Sequence, residues 1–104
     1  MEAGRKLDAL IAEKVMGLIF RKKEGYPKFD DDVPYYSTRI EDAWLVVEKL
    51  REMGAWINVS IGTHKMFWEC RGIINEGKDN EVRFINHAPT APLAICLAAL
   101  KAIE

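Results

Sequence analysis

The chain has no surplus of either charge. Its 15 Lys and Arg stand against 16 Asp and Glu, for a net charge of −1. A module that grips DNA or RNA through its phosphates needs a clear basic excess, so duplex nucleic acid is excluded as the main partner. Cysteine is scarce as well. Cys70 and Cys96 form no Cys-x-x-Cys pair and have no histidine at ligand spacing, so the chain shows neither a zinc motif nor a disulfide framework. Both read as small buried hydrophobes. No apolar run nears the roughly 20 residues of a membrane span, and polar residues open the chain with no secretory pattern. The expected location is a cytoplasm, with no membrane partner and no cofactor.

Catalytic signatures are lacking too. Ser37, Ser60, Cys70 and Cys96 are nucleophile types, and His64 and His87 are base types, but none sits on a motif such as Gly-x-Ser-x-Gly. Asp30, Asp31 and Asp32 cluster without the spacing of a calcium loop. Three acidic neighbours in a loop are ordinarily just solvated. The expectation is a protein that is not an enzyme and holds no metal.

What remains is a length of 104 residues, 49% hydrophobic, which suits one domain over 1–104. Leu7, Leu10, Ile11, Val15, Leu18 and Ile19 recur at steps of three and four, predicting a helix near 6–20. A charged, proline-bearing loop follows through Val33-Pro34. Thr38 with Glu41 has capping-box spacing, which predicts a second helix near 38–53. Its buried stripe would be Ile40, Ala43, Trp44, Val47 and Leu50, closed by Gly54. Alternation predicts strands near 55–61, 64–73 and 81–85, and the short connections favour antiparallel pairing. A final helix near 90–103, capped by Thr90, is apolar almost all round and so is buried in the domain or at a subunit contact. The order α-α-β-β-β-α predicts an α+β fold, a small antiparallel sheet with helices packed on it. Trp56 and Trp68 fall on strands whose faces the pattern does not assign.

Four ordered stretches carry a resemblance. They are Leu7 to Gly17, Pro34-Tyr35-Tyr36-Ser37-Thr38, Ala43-Trp44 through Val46 to Leu50, and Thr90 to Cys96 with Ala98 to Ala102. Together they resemble the phage ABA-sandwich domain family of small phage and prophage proteins. The resemblance implies helices on both faces of a sheet and a product made in the host bacterial cytoplasm. It brings no catalytic residues with it.

Two places offer a ligand something. Tyr35, Tyr36, Ser37, Thr38 and Arg39 put aromatic rings and a cation at a helix start. Asn86, His87 and Thr90 stand at the start of the last helix. Aromatic faces stack on bases, and free helix amides receive phosphate. The expected ligand is a small nucleotide, captured as a host immune signal, with a homo-oligomer as the working form. Each residue also has a plain structural job: a hydrophobic staple for the tyrosines, caps for the threonines, a solvated loop for His87. The alternative is a phage accessory or structural protein acting through protein contacts only.

Overall fold

A computed structural model describes residues 1–18, 33–61 and 67–103. The elements are α1 (Arg5–Lys14), α2 (Ile40–Glu52), β1 (Ala55–Ile61), β2 (Trp68–Ile74), β3 (Val82–Ala88) and α3 (Ala91–Ala102). The three strands pair antiparallel in the order β1-β2-β3. This is the α+β architecture expected from the sequence pattern. Residues 19–32, with Asp30 to Asp32, and residues 62–66, with His64, lie outside the described residues.

α1 stops earlier than its apolar stripe. Gly17 adopts φ 69 and the Leu18 amide turns back to the Ala12 carbonyl at 2.9 Å, which ends the helix. Leu7, Ile11 and Val15 are buried, whereas Leu18 is exposed. β3 runs three residues past the expected Ile85, so Asn86 and His87 are strand residues and not loop residues.

The start of α2 also differs. Its N-cap is Arg39, and no side chain caps it; Thr38 is exposed. Instead Asp42 reaches back and accepts a hydrogen bond from the Tyr35 amide at 2.8 Å. The Tyr35 carbonyl in turn accepts from the amides of Thr38 and Arg39, so residues 35–39 form a turn of their own before the helix. The capping-box reading of Thr38 and Glu41 is therefore corrected. Thr90 does cap α3, accepting from the Leu93 amide at 3.4 Å. Thr90→Ala should cost about 1 kcal/mol of unfolding free energy, the usual value of a lost N-cap. Thr38→Ala should stay within about 0.5 kcal/mol. Urea unfolding of the two variants side by side checks the contrast.

Among the described residues the core is one-sided. Helix residues Leu7, Ile11, Val46, Leu50, Ile95 and Ala99 pack with Cys70, Ile74, Phe84 and Ala88 of the sheet, joined by half-buried Ile57, Val59, Trp68 and Val82. In the strand registers, all of these sheet residues share one face. α3 lies on β3 and β2, α2 on β1 and α3, and α1 on α3. Helices on both faces, as the family name implies, are not seen among the described residues, whose three helices share one side. Trp68 faces the core and Trp56 faces away, so the two do not share a face. Trp44 and Ile40, expected in the buried stripe of α2, are exposed instead. The buried stripe is Ala43, Val46, Val47 and Leu50, centred between the two expected edges.

Both cysteines are free and fully buried. Burial pushes the Cys70 thiol up to about 12 and raises that of Cys96 as well, with Asp8 and Cys70 adding to the second effect. A thiol at about 12 is ionised in roughly one molecule in 10⁴ at pH 8. Native protein at pH 8 should therefore leave both thiols unlabelled by iodoacetamide, while denatured protein takes two labels by mass spectrometry.

Candidate functional site on the outer sheet face

The Tyr35 to Arg39 segment is anchored from below by buried groups. Tyr36 and Ser37 are buried. The Ser37 amide and hydroxyl donate to Asp8 Oδ1 at 2.8 and 2.6 Å, and the Gly4 amide donates to Ser37 Oγ at 2.9 Å. Arg5 donates to Asp8 Oδ2 at 2.9 Å and to the Val33 carbonyl at 2.6 Å. This cluster ties the start of α1 to the segment before α2. Desolvation raises the Tyr36 phenol, with the Asp42 carboxylate adding to it.

The Tyr35 ring already holds two cations. The guanidinium of Arg5 lies 4.0 Å from its centroid and that of Arg39 lies 4.3 Å away. A base stacking here would have to displace one of them. At the other predicted place, Asn86 and His87 point to opposite faces of β3, as successive strand residues must. Thr90 is occupied as a cap. No hydrogen bond, ion pair or ring contact among the described residues joins the two groups.

The face opposite the helices is different. Strand register arranges nine side chains on it in three rows: Trp56, Ile73 and Arg83; Asn58, Arg71 and Ile85; Ser60, Glu69 and His87. Trp56 is 56% exposed and Ile85 41%. A shallow groove of about 360 Å³ runs between Trp56, Ile73, Ile85 and the two arginines. An exposed Trp beside two exposed Arg is the residue mix that carries most energy in binding interfaces.

Two ion-pair networks orient the cations. Arg71 Nε donates to Glu69 at 2.7 Å, and Glu69 also meets His87 Nε2 at 3.0 Å. Arg83 Nε donates to Glu81 at 3.1 Å. Among the described residues, the terminal nitrogens of Arg71 and Arg83 have no protein partner and are available to an incoming acceptor. The hydrogen bond from Arg71 holds the Glu69 carboxyl below its usual range, with His87 adding in the same direction. The Gly77 amide, then Arg83, does the same for Glu81. Both carboxylates therefore stay charged at neutral pH and keep the guanidinium planes fixed.

Sequence reasoning singled out Trp56, without assigning its face, but not Ile73, Arg83 or Ile85. The period-two alternation of β2 and β3 contains that signal. It lacks only the statement of which face the helices leave open.

The comparisons with known proteins fit this fold. A family model described as "Phage ABA sandwich domain" matches residues 9–100. A crystal structure of a phage protein from Bacillus cereus ATCC 14579 superposes with a TM-score of 0.73 at 30% sequence identity, covering 99% of this chain and 88% of that one. A comparison with curated proteins returns no match.

Proposed function

Since the chain belongs to the phage ABA sandwich domain family, we propose that it is a phage accessory protein that acts by binding, without catalysis, in the host bacterial cytoplasm. Its working surface is the sheet face that the described helices leave open. The observation that supports this most is the one-sided core, which leaves Trp56, Ile73 and Ile85 facing away from every described helix. A half-solvated antiparallel sheet is ordinarily polar on its outer face. Here the outer face instead interleaves three apolar side chains, Trp56, Ile73 and Ile85, with Arg71 and Arg83, whose terminal nitrogens have no protein partner among the described residues. The matching partner is a protein surface that offers apolar side chains ringed by carboxylates.

A photo-crosslinking amino acid at Ile85 tests this reading, with one at Glu48, on exposed helix surface, as control. During phage infection, the Ile85 position should give a discrete adduct that Arg83→Glu abolishes. Adducts from Glu48 and none from Ile85 would move the working surface to the helices.

Nucleotide capture, in the role of a sponge for a host immune signal, is a second reading. What favours it is the exposed Trp56 ring beside Arg71 and Arg83 in a groove near the lower end of ligand-pocket sizes. An indole face stacks on a base while guanidinium groups take phosphate. On this reading the ligand sits on the sheet and not at the helix starts. Protein purified from infected cells and then denatured would release a nucleotide detectable by mass spectrometry, and Trp56→Ala would release none. Absence of nucleotide from both leaves the protein-contact reading alone.

A further inference from the structure

Among the described residues β1 is an edge of the sheet, because the strand order is β1-β2-β3. Its sequence, Ala-Trp-Ile-Asn-Val-Ser-Ile, contains no charged residue, no proline and no glycine. Folded proteins normally protect such an edge with charge, proline, a bulge or a covering element, since a bare row of amides and carbonyls recruits another strand. Among the described residues no backbone hydrogen bond reaches the outer side of β1. The opposite edge is treated differently. Lys101 donates to the Ile85 carbonyl at 3.2 Å, and Pro89 directly follows the strand.

The side chains of β1 are left incomplete in the same way. Ile57 and Val59 point into the helix-covered side yet remain only half-buried. α2 is the helix on β1, and its Ile40 and Trp44, one turn apart, are exposed. Apolar surface is therefore unfinished along the edge strand and on the helix above it.

We infer that a second copy of this chain completes this edge, β1 pairing antiparallel with the partner's β1 about a two-fold axis through Asn58, to give a continuous six-stranded sheet. The register is self-complementary. It sets Ile57 opposite the partner's Val59 on the helix side. On the other side it sets Trp56 opposite the partner's Ser60, and Asn58 opposite its own counterpart. Every apolar core-side residue meets an apolar one, and no charge meets a like charge. A slip of one residue would put Ile57 and Val59 against outward-facing residues; a slip of two keeps apolar pairs but leaves strand ends unpaired, and the axis through Asn58 is the one that pairs all seven residues of β1. An isologous two-fold contact of this kind closes on itself and does not propagate into a fibre. This pairing does not depend on which partner the open face takes.

The test is molar mass by light scattering at tens of micromolar. The natural sequence should give twice 11.9 kDa. Asn58 is exposed, so Asn58→Lys and Asn58→Asp are tolerated by the fold, which circular dichroism verifies. Each variant alone sets two like charges together at the axis and should run as a monomer. An equimolar mixture of the two sets Lys against Asp and should recover the mass of a pair. A natural chain running at 11.9 kDa, a dimer that survives Asn58→Lys, or a mixture that stays monomeric would each overturn the pairing.

Discussion

Asp8→Ala should destabilise the protein by about 3 kcal/mol, within the range for removing one partner of a buried ion pair. Asp8 is fully buried, and it is the common acceptor for groups far apart in the chain. Its Oδ1 takes the amide and hydroxyl of Ser37, 29 residues away, and its Oδ2 takes Arg5. Without the carboxylate, the buried Ser37 amide loses its acceptor, the Ser37 hydroxyl keeps the Gly4 carbonyl at 3.3 Å, and Arg5 loses its ion pair with Oδ2. The Arg5 side chain retains 27% exposure, so water softens that part of the loss and the lower end of the range applies. Asp8→Asn keeps an acceptor of the same shape and should cost about half as much. Urea unfolding with an unchanged slope measures both. If Asp8→Ala left the midpoint within error, the cluster would not be what fastens α1 to the segment before α2.

Gly72→Ala should cost about 3 kcal/mol, the upper part of the range for overpacking. Gly72 is the central core-side residue of the middle strand and pairs directly with Phe84. A β-carbon there would press into the Phe84 ring and against the Trp56 carbonyl oxygen, both well inside van der Waals contact. The Phe84 ring occupies the space a side chain would need, and Phe84 is itself buried. Glycine in mid-strand is ordinarily a weakness, and here a cross-strand aromatic covers it. The Trp56 carbonyl cannot yield without moving β1, so relief must come from the ring. Combining Gly72→Ala with Phe84→Leu should therefore recover part of the loss, giving a favourable coupling of about 1 kcal/mol in a double-mutant cycle. Strict additivity would show that the backbone of β1, and not the ring, sets the limit.

These two sites show why part of this protein was legible in its sequence and part was not. Repeating local patterns were readable: the stripes of α1 and α3, the alternation along the strands, the Thr90 cap, the Gly54 turn with φ 91, and the burial of both cysteines. Each depends on residues within a few positions of one another, where helix and strand periods dictate the geometry. Asp8 gave no such signal. A carboxylate in the first turn of a helix ordinarily faces water and the helix dipole. Only the return of Ser37, 29 residues on, makes it a buried acceptor.

The same division runs through the candidate site. Tyr35, Tyr36, Ser37, Thr38 and Arg39 drew attention because aromatic, hydroxyl and cationic residues at a helix start suit a ligand. Tertiary contacts assign Tyr36 and Ser37 to the interior and give the Tyr35 ring to two arginines. Capping followed the same course: the Tyr35 amide binds Asp42, the turn at 35–39 forms, and Thr38 is left in solvent.

By itself, the amino-acid sequence determined the order of elements, the antiparallel sheet, the inward stripes of α1 and α3 and the family. The reason is that backbone geometry converts spacing along the chain directly into sidedness. Which side of the sheet the helices would cover was decided only by tertiary packing. Strand alternation defines two faces but ranks neither, because Ile73 and Ile85 on one side are as apolar as Ile57 and Ile74 on the other. α3 settles on the side of Cys70, Gly72 and Phe84, where small residues and one ring admit a closely packed, alanine-rich helix. That choice leaves Trp56, Arg71 and Arg83 exposed on the face that the described helices do not cover.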